Sequence, residues 1–310
     1  MNLFWPAAAL IFIGLFFAAY IFYTVLKYTR MIGNIFLSLV YDPNLGSMPE
    51  SARGETVTIL DSSDAEISAL FLEKKDSKKL VIFCHESGAT KESWEKYCFF
   101  LPDLGYHVLS VDFKNETMGV EKNSFSQWPT VDDVKRLMTA VRWAKKVCPA
   151  GTQVILFGVS KGANIALAAS FYDDAVKGVV ADGLFSVKEI FRAYIRKWAP
   201  VLVKPNFFGD KTPEGLIRFF ADRGFNYCQK KFKVNFLEVE RLLKKRHAPL
   251  LLIYGRQDSY VSARHQDTLE KMNREPTLEK FLVPDAGHNE AVVKDRESYE
   301  RTISEFLTKL

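Results

Sequence analysis

Ser160, Asp258 and His288 are the residues whose types and settings could together carry out acyl transfer. Ser160 is the centre of Gly158-Val159-Ser160-Lys161-Gly162. The strand-forming run Val154-Ile155-Leu156-Phe157 precedes it, and the small-residue run Ala163–Ala169 follows. In that strand–turn–helix setting G-x-S-x-G is a nucleophile elbow. The turn forces the serine into a strained corner, so the flanking positions must lack side chains that would clash across the bend. A serine hydroxyl becomes a nucleophile only when a base takes its proton and a third group orients the base. In an elbow fold these follow in the order Ser, Asp or Glu, His. Asp258 follows the apolar strand Pro249–Gly255, and His288 follows the strand Glu279–Val283. All three would then meet at the carboxyl edge of one parallel sheet, where open α/β folds bind ligands.

These segments resemble the α/β-hydrolase superfamily, by Gly158-Val159-Ser160-Lys161-Gly162, Tyr254-Gly255-Arg256-Gln257-Asp258 and Ala286-Gly287-His288-Asn289. Val81-Ile82-Phe83-Cys84-His85-Glu86-Ser87-Gly88 is similar to the third strand and oxyanion loop of that family. The resemblance covers about residues 55–310 and is strongest toward bacterial membrane-anchored hydrolases of the serine aminopeptidase type. It implies an α/β-hydrolase fold, a mostly parallel central sheet with helices on both faces and a helical cap inserted after the sixth strand. One departure is His85-Glu86, where many relatives carry His-Gly; it places a carboxylate near a site that must stabilise an anion.

The expected roles are Ser160 as nucleophile, His288 as general base and then acid, and Asp258 as the carboxylate orienting His288. Asp182, just after the sixth strand, is the alternative acid; Asp285 is too near His288 along the chain. Oxyanion donors are expected from the backbone N–H of Lys161 and of Glu86 or Ser87, each typically worth about 3–4 kcal/mol of barrier. The Lys161 side chain is expected to face solvent, and His85 to brace the oxyanion loop.

Strands are expected at Glu55–Leu60 and Ile67–Glu73, as an edge hairpin, then at Leu80–Cys84, His107–Phe113, Val154–Val159 and Val176–Ala181. Helices are expected at Glu92–Leu104, at Val131–Val147 with apolar residues at helical spacing, and at Glu290–Leu310. Alternation of this kind implies a largely parallel sheet.

From Leu3 to Leu26 no residue is charged, a stretch of about 24 residues or roughly 36 Å as a helix. No basic residue precedes it and no small-x-small cleavage site ends it, so an anchor is favoured over a signal peptide. Lys27 and Arg30 flank its carboxyl side, which places the catalytic domain in the cytoplasm by the positive-inside rule. Residues 1–30 are thus read as a transmembrane anchor, 31–54 as a connector and 55–310 as the hydrolase domain, with a cap at 184–247. Twelve aromatic residues, Phe185 to Phe236, fall in that insertion. The cap could cover substrate and touch the bilayer, or its aromatics could fill its own core.

The net charge of +5 over 310 residues is modest and dispersed, and gives no reason to invoke nucleic acid. The five histidines form no H-E-x-x-H or paired set, so neither metal nor cofactor is expected. The four cysteines have no C-x-x-C spacing and read as free thiols. The composite expectation is a membrane-anchored serine hydrolase acting on a small-molecule or lipid-like acyl ester. A serine peptidase or amidase and a catalytically silent anchored interaction domain are the alternatives.

Overall fold

The structure is a computed structural model that describes residues 4–38, 51–61, 64–113, 127–202, 211–245, 248–274 and 276–310. It resolves into two compact units, one of residues 1–39 with 191–234, the other of residues 40–190 with 235–310.

The larger unit is built on an eight-stranded sheet: β1 (Glu55–Leu60), β2 (Glu66–Leu72), β3 (Lys79–Cys84), β4 (His107–Val111), β5 (Gln153–Val159), β6 (Val176–Asp182), β7 (Leu250–Gly255) and β8 (Leu278–Val283). Their spatial order is β1-β2-β4-β3-β5-β6-β7-β8. The β1–β2 hairpin is the expected antiparallel edge, β2 pairs antiparallel with β4, and the remaining pairs are parallel. Central strands in such a sheet are covered on both faces and read as unbroken apolar runs. Val81, Phe83, Ile155, Phe157, Leu251 and Ile253 join one buried cluster with Trp94, Tyr97, Tyr299 and Phe306. Leu80, Ile82 and Leu156, out of phase by one residue, are equally buried, as strand alternation requires of the opposite face.

The helices of the two units follow in chain order. After α1, described below, come α2 (Trp94–Tyr97), α3 (Val131–Val147), α4 (Lys161–Ala169), α5 (Val187–Leu202), α6 (Glu214–Phe232), α7 (Val239–Leu242), α8 (Ala263–Met272), α9 (Ala291–Lys294) and α10 (Arg296–Thr308). α3 has the expected bounds and starts from a capping box in which Thr130 and Asp133 bond reciprocally. The helix expected over Glu92–Leu104 is instead α2 between two short 3-10 turns. Pro102 has no N–H and its ring excludes the carbonyl four residues back, so the turn cannot continue through Cys98. The closing helix is likewise divided, at Asp295, whose carboxylate caps Ser298 N–H at 3.2 Å.

In the smaller unit α1 runs from Phe4 to Ser38. Residues 31–38, assigned above to a connector, are therefore helical, and 39–50 lie outside the described residues, as do Phe207 and Phe208 of the aromatic set. α1 changes character along its length. Leu10 to Tyr23 present large apolar side chains that are mostly more than half exposed, whereas Ile32 and Phe36 are buried. Its carboxyl half packs on α6 where two glycines meet. A Cβ on Gly33 would lie 2.6 Å from Tyr227 Cδ1, and one on Gly224 would lie 2.7 Å from Ile32 Cγ2. Phe36 packs edge-on against Phe191 at 4.5 Å and Phe225 at 5.9 Å, and Tyr28 against Phe220 at 5.9 Å. Part of the aromatic set thus fills this unit's own core.

Candidate active site

The local sequence explains the elbow. Ser160 joins β5 to α4 at φ 51°, ψ −113°, a positive-φ conformation costly for a residue with a side chain. Its own N–H donates to the Asp182 carbonyl at 2.7 Å, tying the corner to the end of β6. A Cβ on Gly158 would lie 2.2 Å from the Gly162 carbonyl oxygen, and one on Gly162 would lie 1.9 Å from that of Cys84. The bend therefore closes only with hydrogen at both positions. The same contact seats the segment after β3 directly against the start of α4.

Ser160, Asp258 and His288 come together as the sequence predicts. Ser160 Oγ lies 2.9 Å from His288 Nε2, and His288 Nδ1 lies 2.7 Å from Asp258 Oδ2. The other Asp258 oxygen accepts from the N–H groups of Tyr260 at 2.8 Å and Val261 at 2.7 Å. Those bonds hold the carboxylate on one bearing. The side chains of His288 and Asp258 are almost wholly buried. With Nδ1–H donating to Asp258, Nε2 is left as the acceptor facing the Ser160 hydroxyl.

Asp182, the alternative acid, is turned elsewhere. Its carboxylate accepts from Tyr299 Oη at 3.0 Å, and burial holds the carboxyl far above the usual carboxylate range, at about 7.

The expected oxyanion residues flank the elbow. The N–H of Lys161 opens α4 and has no intrahelical acceptor, and the helix end carries partial positive charge. Glu86 is fully buried, and its carboxylate accepts from Ser93 Oγ at 3.2 Å and Tyr97 Oη at 2.9 Å. The carboxylate that the sequence places near an anion site is thus engaged by two hydroxyls. Ser87 is next in that loop and half-buried. His85 braces the loop: Nδ1 contacts the Glu86 carbonyl at 2.7 Å, and Nε2 accepts the Phe113 N–H at 3.1 Å. This pairing makes Nδ1 the protonated nitrogen.

The expectation that the Lys161 side chain faces solvent is overturned. It is buried, with Nζ 3.3 Å from Asp133 Oδ1. The turn points the side chain after Ser160 inward, against α3, and Asp133 offsets the charge there. Asp133 was not singled out in the sequence, because a carboxylate three residues past Thr130 reads fully as a helix cap. Asn164 is a second unforeseen residue. Its amide bonds both backbone groups of Phe185, at 3.0 and 3.2 Å, and so ties α4 to the chain leaving β6.

Sheet order, elbow and relay together define an α/β-hydrolase fold. Residues 81–300 match the model of the alpha/beta hydrolase family, and the chain belongs to that family. Among curated proteins it is similar to the uncharacterized protein YqkD of Bacillus subtilis (strain 168), with 22% identity across 79% of this chain and 76% of that one. Among solved structures it is similar to the Pyrococcus furiosus esterase Pf2001, with a TM-score of 0.61, 22% identity and coverage of 83% of this chain and 91% of that one. Est1E from Butyrivibrio proteoclasticus gives a TM-score of 0.54 at 16% identity, covering 82% and 99%.

Proposed function

We propose that the protein is a serine hydrolase that cleaves an acyl ester through an acyl-enzyme, using Ser160, His288 and Asp258, and that α1 anchors it in a membrane. The observation that carries this reading is the continuous relay from Ser160 Oγ through His288 to Asp258, placed on a strained elbow. The Pyrococcus furiosus protein that shares the fold is named an esterase, which favours ester over amide.

The chemistry follows from the geometry. His288 Nε2 takes the hydroxyl proton as Ser160 Oγ forms a bond to the acyl carbon, and the carbonyl electron pair moves onto oxygen. The backbone N–H of Lys161, with that of Glu86 or Ser87, stabilises this oxyanion. Asp258 stabilises the imidazolium without taking its proton. Collapse expels the alcohol, which receives the proton from His288 and leaves Ser160 acylated. Water then attacks the acyl carbon with His288 again as base, releasing the carboxylic acid and restoring the serine.

α1 includes a stretch, Ala9–Phe36, of mean hydropathy 2.3, whose exposed part, Leu10 to Tyr23, would lie in lipid. Lys27 and Arg30, after the apolar run, favour a cytoplasmic carboxyl end and hydrolase domain by the positive-inside rule. A lipid-like or other acyl-bearing small molecule is the substrate class this placement favours.

Fluorophosphonate labelling of wild type against Ser160→Ala tests the reading. Labelling that vanishes in the variant supports an activated serine; none on folded wild type overturns it. A matched panel of acyl esters and aminoacyl amides then separates esterase from amidase.

A further inference from the structure

We propose that the smaller unit contains a binding site for the alkyl chain of a long-chain carboxylate, built jointly by the anchor helix and the helices of the insertion. A cavity of about 500 Å³ lies between the carboxyl half of α1, the carboxyl half of α5 and the start of α6. Its walls include Tyr28 and Ile32 of α1, Trp198 of α5, and Leu216 and Ile217 of α6. Among the described residues, Lys211 is the only charged side chain lining it.

Three features select the occupant. The volume falls within the roughly 300–1,000 Å³ of small-molecule sites, and the lining is almost wholly apolar, so it suits hydrocarbon and offers water few partners. Its rim is apolar too: Trp198 and Leu216 line the cavity yet remain 44% and 45% exposed. An exposed rim leading into an apolar hollow admits a flexible chain from an apolar phase more readily than a solute from water.

Position along α1 supplies the second argument. The helix is exposed from Leu10 to Tyr23, and its first cavity-lining residue is Thr24, one position further on. On the anchor reading, on which the source of the ligand rests, the cavity opens where α1 emerges from the lipid. A chain already lying along the helix could enter it without crossing water.

Charge supplies the third. One lysine, a compact point charge, complements one monoanionic head group, as a carboxylate carries.

The test uses full-length Ser160→Ala in zwitterionic nanodiscs, titrated with 9,10-dibromostearate while tryptophan emission is followed. The Trp198 signal is the difference from the same protein carrying Trp198→Phe. Saturable quenching of that signal is expected, with half-saturation shifted at least fivefold by the surface change Lys211→Glu. Dibromo-octadecanol, lacking the charge, should be unaffected by Lys211→Glu. Ala199→Phe, which fills the cavity, should abolish saturation for both probes. Quenching that rises without saturation, or equally with and without Trp198, would mean bilayer partitioning alone and overturn the site. An equal response of both probes to Lys211→Glu would overturn the assignment of the head group. Because the binding variant lacks Ser160, failure here leaves the hydrolase reading intact. Failure of fluorophosphonate labelling leaves this site intact.

Discussion

Lys161 Nζ lies 3.3 Å from Asp133 Oδ1, and neither side chain reaches solvent. The residue directly after Ser160 is therefore bonded through its side chain to the first turn of α3. One residue thus links the elbow to the helix packed under it. Removing one partner of such a pair strands a buried charge, at a cost of about 3–5 kcal/mol. Asp133→Asn, which keeps an acceptor for the Thr130 cap, should lower stability by about that amount. Adding Lys161→Met should recover most of the loss. Denaturant unfolding of the three proteins is the check, and an undiminished single variant would refute the pair's importance.

Ser160→Ala should leave the unfolding midpoint near that of wild type and lower kcat by about 10⁵–10⁶-fold, as loss of a nucleophile does elsewhere. Residual turnover within tenfold of wild type, measured on the best ester found, would remove Ser160 from the chemistry.

Asp258→Asn should cost about 10⁴-fold in kcat, because an amide no longer holds His288 in the right tautomer. Asp182→Asn should cost far less, since that side chain bonds Tyr299. The reverse order in steady-state kinetics would move the acid to the end of β6.

Asp182 also makes stability depend on pH. Burial raises its folded pKa to about 7, above the unfolded value of 3.8, so between these values the native state binds the extra proton. The contribution of this group is therefore fully favourable below about pH 4 and is lost as pH rises through 7. Asp182→Asn should flatten the fall in melting temperature between pH 4 and 7. An unchanged profile would show that the carboxyl is not titrating there.

The division within α1 sets where that helix can be cut. Deleting residues 1–23 should give soluble protein that keeps the contacts of Tyr28, Gly33 and Phe36 with the insertion. Cutting through residue 38 should expose Phe191 and Phe225 and cause aggregation. Size-exclusion chromatography of the two truncations separates the outcomes, and equal behaviour would mean that α1 is dispensable to the insertion.

Strand–turn–helix chemistry at Gly158–Gly162 and the apolar runs of β3, β5, β6 and β7 were legible because they are local: a bend without room for Cβ and a strand buried on both faces each demand a composition. Those runs also located Asp258 and His288, since each follows a strand at its carboxyl end. The direction of Lys161, the capture of Glu86 by Ser93 and Tyr97, and the commitment of Asp182 to Tyr299 were decided only by tertiary structure. In each case the partner is 7 to 117 residues away, and a charged side chain reads as solvated until its surroundings are known. The same holds for α1, whose uncharged run predicts a single greasy helix from composition alone. That its last turns instead form the core of the insertion depends on Gly33 meeting Gly224, a contact between segments nearly two hundred residues apart that no local pattern encodes.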